Sequence, residues 1–548
     1  DVILNADAGV DTTGENVTVG AIGSGNEIAA VTIAGRDGIT LKGNITLSNK
    51  AGADLDIDGA VTIDGSVTID TDNESADRGS GATENDGDIN FSSTINGNSA
   101  ANSVDNLTIE AGDTTAAGSP TLTLSGAIGG SSPLDTLSIN ASTSTMAFSV
   151  PQIGSGTAAG AGSSTASVSI GNANSGDITF STTNSAGNGS ISYIFGGNTT
   201  ITSGGGADGF KIGAGDTTFK NTGSTKSISF ATGGFTLGND ADLKIETNNG
   251  AISVGDIIGT AGGSATDVIL DAGTSTTSIG AVGTGNTDIN DLTVSGTGVI
   301  TLTGNVITED SAAAGDDGST AEDGAQSYAG AVVLSGTDIT LTTGGGGATF
   351  SSTINSEANV AGNASAGRGL TIANTDGAVT VTGAIGAGTN GALGALVIGT
   401  AENGSNTGNI TLSNSIGSSS TAGATSISLG NQATGVITLA GADYNSSGSQ
   451  MFEADDFDLD GDNITFTSAN SGGSKTIDFL HAAAITLDNT VEKLSISSGG
   501  ADVTIQPAIT GTTGGANKSE DVSIDAGSGV LSLDFAGLAI DGDIGDVT

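Results

Sequence analysis

Short triplets of one apolar, one polar and one apolar residue recur along the chain. Three of them, Leu55-Asp-Ile57, Val61-Thr-Ile63 and Val67-Thr-Ile69, begin six residues apart. Alternation with a period of two predicts a β-strand, in which the first and last residues of a triplet face the same side. Gly, Asn and Asp residues near the triplets allow the chain to turn after only a few residues. We therefore expect an all-β fold, namely a parallel β-helix, or β-solenoid.

The rungs of such a solenoid stack on one another, and their inward side chains form a narrow core. Successive rungs pair in register about 4.8 Å apart, which aligns the inward Val, Ile, Leu and Phe residues. At about 20 residues per rung, the chain would form on the order of 25 rungs and a rod of roughly 120 Å. A length of 548 residues exceeds what one globular core usually supports, and it favours an elongated array.

The chain also repeats itself over a much longer period. Matching segments lie 259 (350 − 91), 260 (279 − 19) or 266 (267 − 1) residues apart, and the opening segment occurs three times. This predicts a first repeat over 1–266, a second over 267–520, and the start of a third repeat, or terminal rungs, over 521–548. The matching segments are Val19-Gly-Ala-Ile-Gly with Ile279-Gly-Ala-Val-Gly, Phe91-Ser-Ser-Thr-Ile-Asn with Phe350-Ser-Ser-Thr-Ile-Asn, and Asp1-Val-Ile-Leu with Asp267-Val-Ile-Leu and Asp521-Val-Ser-Ile.

Two acid-rich segments interrupt the triplet pattern at matching places in the two repeats. Residues 70–88 precede Phe91, and residues 309–326 precede Phe350. Because neither shows a strand pattern, we expect paired side-loop insertions. They could be acidic loops that keep the protein soluble, or they could form a calcium or interface site.

The composition limits the partners of the protein. Its 60 acidic and 12 basic residues give a formal net charge of −48, which argues against nucleic acid and anionic membrane as partners. Divalent cations, calcium above all, fit this charge better. The chain has no Cys and no Trp, as expected for a cell-surface protein of a prokaryote that gains nothing from disulfides. The sequence contains no run of 18 apolar residues, so it does not predict insertion into a membrane. The start at Asp1 suggests a processed or excised piece of a secreted precursor.

Two sets of aspartates are candidate calcium ligands. The first set, Asp456, Asp458, Asp460 and Asp462, resembles the start of an EF-hand loop, but the twelfth position is Thr467 instead of Glu. A strand explains the segment better, with Phe457 and Leu459 inward and the aspartates outward. Outward carboxylates on one rung could still share calcium with their neighbours. The second set is Asp54, Asp56 and Asp58, which also alternate with apolar residues.

Catalytic chemistry has little support in the sequence. Polysaccharide lyases and hydrolases with this fold need convergent carboxylates, basic residues and aromatic platforms, whereas this chain has one His, three Tyr and no Trp. We expect His481 to be a residue of a rung edge or loop, because it follows Phe479-Leu480 and has no counterpart in the first repeat. We therefore predict a protein that is not an enzyme.

Threonine stands at the centre of several triplets. In Ile39-Thr-Leu41 and Val379-Thr-Val381 it would face outward, and stacked triplets would align such residues into a threonine ladder of the ice-binding kind. Ordinary solvent-facing threonine is the simpler interpretation, since Thr is common in strands.

One phrase of the first repeat resembles a known family. Gly87-Asp-Ile-Asn-Phe-Ser-Ser-Thr-Ile-Asn96, followed by Leu107-Thr-Ile109, Leu122-Thr-Leu124 and Leu137-Ser-Ile139, is similar to the filamentous-haemagglutinin-like β-strand repeats of giant bacterial surface proteins. The resemblance implies a right-handed parallel β-helix, export to the cell surface, and a role in adhesion, biofilm matrix, or a surface filament or layer. It provides no catalytic residues.

We expect an extracellular structural protein that forms a rod, fibre, sheath or surface layer by end-to-end or lateral contact with itself. An adhesin stalk that contacts cell-surface glycans or matrix proteins is the alternative. A β-helical polysaccharide-processing enzyme is the weakest of the three hypotheses.

Overall fold

The structure is a computed structural model, and its regular secondary structure within the described residues consists of β-strands. The residues that it describes are 2–6, 16–23, 28–48, 52–73, 87–100, 104–111, 121–141, 148–150, 152–154, 167–173, 175–180, 191–204, 209–213, 215–238, 241–260, 266–284, 287, 289–308, 324–357, 367–374, 377–387, 391–399, 408–419, 421–468, 475–488, 491, 493–511, 520–533 and 544–547.

The chain divides into two compact units. Unit 1 comprises residues 1–260 and 264–275, and unit 2 comprises residues 261–263 and 276–548. The strands of unit 1 are β1 Val2–Asn5, β2 Val17–Val19, β3 Val31–Ala34, β4 Ile39–Leu41, β5 Ile45–Ser48, β6 Leu55–Asp58, β7 Val61–Ile63, β8 Ser66–Asn73, β9 Ile89–Phe91, β10 Ile95–Gly97, β11 Asn106–Ala111, β12 Leu122–Leu124, β13 Thr136–Ala141, β14 Phe148–Val150, β15 Ser167–Ile170, β16 Ile178–Phe180, β17 Ile191–Phe195, β18 Thr199–Thr202, β19 Phe210–Ile212, β20 Thr217–Ser224, β21 Ile228–Ala231, β22 Phe235–Leu237, β23 Leu243–Asn248, β24 Ile252–Val254, β25 Ile257–Ile258 and β26 Val268–Asp271.

Unit 2 has the same construction from short strands. Its strands are β27 Thr277–Ile279, β28 Leu292–Val294, β29 Ile300–Leu302, β30 Val306–Thr308, β31 Gln326–Tyr328, β32 Val332–Leu334, β33 Ile339–Thr343, β34 Ala348–Phe350, β35 Ile354–Ser356, β36 Leu370–Asn374, β37 Val379–Val381, β38 Leu393–Ile398, β39 Ile410–Leu412, β40 Ala424–Gly430, β41 Val436–Leu439, β42 Asp443–Ser446, β43 Gln450–Glu453, β44 Asp456–Leu459, β45 Asn463–Ser468, β46 Ile477–Leu480, β47 Ala484–Leu487, β48 Lys493–Ser497, β49 Val503–Ile505, β50 Ala508–Gly511, β51 Glu520–Asp525, β52 Leu531–Leu533 and β53 Ile544–Val547.

Parallel ladders connect these strands, and each strand inside a ladder pairs with one from the rung before and one from the rung after. The predicted parallel β-solenoid is thereby confirmed in each unit; its right-handed sense stays a prediction. In unit 1 the ladders run β1–β3–β6–β9–β12, β2–β4–β7–β10, β5–β8–β11–β13–β15–β18–β21–β24, β14–β16–β19–β22–β25 and β17–β20–β23–β26. In unit 2 they run β27–β29–β32–β35, β28–β31–β34–β37–β39–β41–β44–β47–β50, β30–β33–β36–β38–β40–β42–β45–β48–β51–β53 and β43–β46–β49–β52.

The three triplets that begin six residues apart form the three sides of one rung. β6, β7 and β8 lie next to one another in sequence, yet each belongs to a different ladder. In β7 the first and last side chains, Val61 and Ile63, are buried, and Thr62 is half-buried on the outside. The apolar spacing therefore predicted both the strands and their inward faces correctly.

Most rungs are longer than the sequence pattern predicted. Along the ladder from β28 to β50, the longest step joins Leu292 to Gln326, and the shortest joins Ile437 to Phe457. Only the shortest step has the predicted length. The extra residues connect the short strands, so the strand pattern is preserved while the rung length varies.

The core contains aromatic groups as well as the aliphatic ladders. In unit 1, Phe180, Phe219 and Phe230 contact one another edge to face, with ring centroids 4.8 to 6.3 Å apart. In unit 2, Phe452 stacks on Phe479 of the next rung at 4.8 Å. Edge-to-face and offset contacts of this kind add to the stabilisation from burial.

A glutamine replaces an apolar residue at one core position of β31. Gln326 is 1% exposed, and its Nε2 donates hydrogen bonds to the carbonyl oxygens of Val306 (3.3 Å) and Thr342 (2.9 Å). Its Oε1 accepts a hydrogen bond from the hydroxyl of Tyr328, at 3.0 Å. The ring of Tyr328 stacks on Phe350 of the next rung, with centroids 4.9 Å apart. These partners satisfy the buried amide, which would otherwise be costly to bury.

A second glutamine repeats this arrangement in β43, except for one atom. Gln450 is 0% exposed, and its Nε2 donates to the carbonyl oxygens of Tyr444 (2.9 Å) and Thr467 (2.8 Å). The residue two positions later is Phe452, which stacks on Phe479 but has no hydroxyl. Among the described residues, Gln450 Oε1 has no hydrogen-bond partner.

The side loops predicted at 70–88 and 309–326 were wrong at one boundary each, and they do not lie at matching places: the first directly precedes β9, which contains Phe91, whereas the second directly precedes β31, three strands before β34 with Phe350. β8 continues through Asp70, which pairs with Glu110 of β11, and β31 begins at Gln326. The reason is the same in both cases: a polar residue, Thr71 or Gln326, occupies an inward position that the apolar pattern does not mark. Residues 74–86 and 309–323 lie outside the described residues.

The second and third occurrences of the opening segment both form strands, but the strands belong to different ladders. In unit 2, Val522 of β51 pairs with Leu494 of β48. In unit 1, Val268 of β26 pairs with Leu243 of β23. The repeated sequence thus gives a strand each time, but it does not determine the ladder to which that strand belongs.

Candidate functional site

The outward aspartates of β6 contact the next rung. Backbone N–H of Asp88 donates to Asp54 Oδ1 at 3.0 Å, and Asn90 Nδ2 donates to Asp56 Oδ1 at 3.2 Å. The Ser92 hydroxyl donates to Asp58 Oδ1 at 2.7 Å. Alternate residues of a strand are roughly 7 Å apart, so these carboxylates do not converge on one point. Their evident role is to connect two rungs.

The second aspartate set lies where it was predicted, on the outside of β44. Phe457 and Leu459 are 0% exposed, whereas Asp456 and Asp458 are half-buried on the outer face and Asp460 is exposed. The strand therefore explains this segment, as expected. Asp456 Oδ1 accepts a hydrogen bond from the backbone N–H of Phe457 at 3.0 Å.

An aspartate of the next rung joins this set, and the sequence analysis did not include it. The N–H of Asp488 bonds to the carbonyl of Leu459, so Asp488 follows β47 as Asp460 follows β44. Burial, and then the charges of Asp460, Asp488 and Asp456, raise the pKa of Asp458 above its ordinary value. Asp462 lies on the turn beyond the strand and is exposed.

These acids are crowded without forming a preformed metal cage. Among the described residues, no group of three or more His, Cys, Asp or Glu side chains is placed to hold a metal ion. A calcium ion at β44 would need outward carboxylates to converge and water to complete its shell of six to eight oxygens. Calcium binding there and at Asp54, Asp56 and Asp58 stays a prediction.

His481 lies at a rung edge, directly after β46, as expected. Its Nδ1 is 2.8 Å from Glu453 Oε1, and its Nε2 is 2.9 Å from the side-chain amide nitrogen of Gln432. Its backbone N–H donates to Gln506 Oε1 at 3.3 Å. These residues follow or end β40, β43, β46 and β49, so the imidazole connects the corners of successive rungs. A φ of +65° places His481 in the left-handed region, which costs conformational energy and fits a fixed corner.

Glu357 and Arg368 form an ion pair just after β35. A paired acid and base of this kind is what the enzyme hypothesis requires. Glu357 Oε1 is 2.9 Å from a terminal nitrogen of Arg368, and Glu357 Oε2 accepts a hydrogen bond from the Ser335 hydroxyl at 2.6 Å. Hydrogen bonds from Ser335 and Arg368 hold the pKa of Glu357 below its ordinary value. Glu357 thus connects three chain segments as a charged structural partner.

Hydroxyl side chains dominate two outward ladders, one in each unit. In unit 1 they are Thr68, Thr108, Ser138, Ser169, Thr200, Ser229 and Ser253, paired in that order. In unit 2 the central outward residues of β28 to β50 form what we call the threonine ladder. Its members are Thr293, Ser327, Thr349, Thr380, Thr411, Thr438, Asp458, Thr486 and Thr510.

The threonine ladder was only partly foreseen. Thr380, the centre of Val379-Thr-Val381, is one member, and Asp458 is the single charged one. Thr40, the centre of the other triplet, lies in unit 1 between Thr18 and Thr62. The triplets predicted that threonine faces outward, but which triplets pair depends on the loop lengths between them.

Comparison with family models, with curated proteins and with solved structures finds no match to this chain. In the part of the chain that the structure describes, no helix is long and apolar enough to cross a membrane.

Proposed function

We propose that this chain is an extracellular structural protein of a prokaryote, which assembles with copies of itself into a fibre, sheath or surface layer. The observation that carries the proposal is the regular pairing of the strands, exemplified by nine consecutive strands from β28 to β50 in one parallel ladder. Such an array provides length and a repeated surface. Several described contacts of acidic and histidine side chains, such as Asp56 with Asn90 and His481 with Glu453, join rung to rung, as in a scaffold.

Calcium is the cation that we propose for the acidic surface. With a formal net charge of −48, close approach of two copies is opposed by repulsion between carboxylates. Calcium bound near Asp456, Asp458 and Asp460 would reduce that repulsion and supply a hard cation to oxygen ligands. We expect calcium to raise the melting temperature of the wild-type protein and of an Asp37→Asn variant, which changes an exposed aspartate outside both candidate sets. Replacing Asp456, Asp458 and Asp460 by asparagine should remove the increase; an unchanged increase would rule out this rung as the site.

Electron microscopy of the purified protein, with calcium and after chelation, tests the structural proposal. Regular filaments, sheets or bundles are the expected result, and their loss on chelation would assign calcium to the contacts between copies. Isolated particles in both conditions, at every concentration, would contradict self-assembly. They would favour the adhesin stalk, which binds cell-surface glycans or matrix proteins through its loops. Cleavage of a polysaccharide by the wild-type protein would instead support the enzyme hypothesis.

A further inference from the structure

The first six members of the threonine ladder form an outward surface without charge. They are Thr293, Ser327, Thr349, Thr380, Thr411 and Thr438, and each comes from a different strand of unit 2. All of them except Ser327 carry a β-branched methyl beside the hydroxyl. A row of this kind can pack against another surface closely, while its hydroxyl groups form hydrogen bonds across the contact.

Two of the corresponding positions of the first repeat, Asp56 and Asn90, are different, so the uncharged row is not a necessary result of the fold. Phe91 and Phe350 match in the two repeats, which makes Asn90 the counterpart of Thr349. One rung earlier, Asp56 pairs with Asn90, whereas Ser327 pairs with Thr349. The third, inward residue of each of these strands stays apolar or aromatic, as Ile57 and Phe91 in the first repeat and Tyr328 and Phe350 in the second, while at these two rungs an outward charge is present only in the first repeat.

The spacing of the row decides which partner fits it. A flat partner must present matching groups at the rung spacing, about 4.8 Å, over six successive rungs. A second copy of the same ladder has this spacing by construction, since it is built from the same parallel strands. In a chain with a net charge of −48, two copies also approach each other at least electrostatic cost along an uncharged row.

Asp458 limits how the two copies can be arranged. It directly follows Thr438 in the ladder. A parallel, in-register pair would place Asp458 opposite its own counterpart, so that two like charges would lose solvent together. An antiparallel pair centred between Thr349 and Thr380 places Thr293 opposite Thr438 and leaves Asp458 beyond the contact. This arrangement has a two-fold axis, the commonest symmetry of protein dimers.

We infer that the row from Thr293 to Thr438 is the surface through which two copies of this chain associate side by side and antiparallel. The inference rests on the proposed self-assembly and adds to it the contact surface and the partner. It requires no metal ion, because the contacting side chains are uncharged.

Sedimentation velocity of charge variants tests the surface. Thr380→Asp adds one carboxylate to the centre of the row in each copy, and we expect it to weaken side-by-side association at least roughly tenfold. Thr371→Asp is the matched control. Thr371 is also a half-buried outward threonine of unit 2, but it belongs to a different ladder, in which it pairs with Thr340. The control should associate like the wild type, and far-UV circular dichroism verifies that both variants are folded.

Cross-linking gives a second measurement that does not depend on charge. The chain contains no cysteine, so a single introduced thiol is the only reactive one. A short bis-maleimide should join two copies of Thr380→Cys efficiently and two copies of Thr371→Cys poorly.

The outcomes separate this inference from the proposed function. Equal association of the two aspartate variants, with equal cross-linking of the two cysteine variants, in a protein that still assembles, would overturn the threonine row as the contact and leave self-assembly intact. A wild-type protein that stays monomeric at all concentrations would overturn both.

Discussion

The two buried glutamines allow one hydroxyl group to be removed at one site and added at the other. Tyr328→Phe deletes the hydroxyl that donates to Gln326 Oε1 at 3.0 Å. Because Gln326 is 1% exposed, water cannot replace the lost donor without rearrangement of the core. Leaving a buried acceptor without a partner costs about 1–3 kcal/mol. We therefore expect the free energy of unfolding of unit 2 to fall by about that amount.

Phe452→Tyr is the reverse change, because Phe452 lies two residues after Gln450, as Tyr328 lies two residues after Gln326. The ring stacks on the next rung at 4.8 Å, almost as Tyr328 does at 4.9 Å, and the neighbouring Gln450 Oε1 has no described partner. The added hydroxyl should supply the missing donor and stabilise unit 2 by up to about 1 kcal/mol. Overpacking would reduce the gain, since extra atoms in a filled core cost about 1–3 kcal/mol.

Guanidinium denaturation followed by far-UV circular dichroism measures both variants, each compared with the wild type at the transition of unit 2. The essential result is that the two changes in unfolding free energy have opposite signs, because one variant removes a tyrosine hydroxyl beside a buried glutamine and the other adds one. If Tyr328→Phe alters stability by less than about 0.5 kcal/mol, the size of an ordinary surface effect, the hydrogen bond to Gln326 does not contribute as argued. Equal destabilisation by both variants would show that ring packing dominates over the glutamine contacts.

Three further predictions concern other sites. Burial raises the pKa of Tyr328 and Tyr444 above the value of about 10 that tyrosine has in the unfolded chain. The stability that comes from burying these neutral phenols is therefore complete below about pH 10 and is lost as the pH rises above it. In an alkaline titration, their phenolate absorbance should appear only with unfolding. Burial and neighbouring aspartates raise the pKa of Asp458, so the folded protein is destabilised where this carboxylate is charged. Asp458→Thr should therefore melt at a higher temperature than the wild type at pH 7, with no difference below about pH 4, where the carboxylate is protonated in both states. An equal difference at both pH values would show that the charge of Asp458 is not the cause. Gly347 has a φ of +72°, and an added Cβ would lie 2.1 Å from the carbonyl oxygen of Ala378, so Gly347→Ala should lower the unfolding free energy by more than about 1 kcal/mol in the same denaturation assay.

The strands and their inward faces followed from the sequence because the apolar alternation is a local signal. A triplet such as Val61-Thr-Ile63 contains all that is needed to predict a strand with one outward residue. The signal failed where a core position is polar. Gln326 is buried with hydrogen bonds to Val306, Thr342 and Tyr328, whereas Thr71 is buried although its hydroxyl has no hydrogen-bond partner among the described residues. A single sequence reveals neither case, and the predicted loop boundaries moved accordingly.

The outward residues were harder to interpret, because their neighbours come from other rungs. Asp54, Asp56 and Asp58 were proposed as calcium ligands from their alternation alone, whereas their contacts are donors in and beside β9, on the next rung. Asp488 was missed for the same reason, since it lies one rung beyond Asp460 and far from it in sequence. Register between rungs depends on loop length, and loop length varies here from one rung to the next.

The single outward side chain of each three-residue strand has a consequence for how this protein can change. The exchange of Asn90 for Thr349 between equivalent strands, both of which keep a buried phenylalanine at the third position, shows that an outward residue can be replaced while an inward residue is retained. Each outward position can therefore be changed independently of the others, and such positions recur at a constant interval along the ladder. Chemical groups introduced at chosen outward positions would be held at fixed distances from one another, so single substitutions could set the spacing of binding groups along the protein.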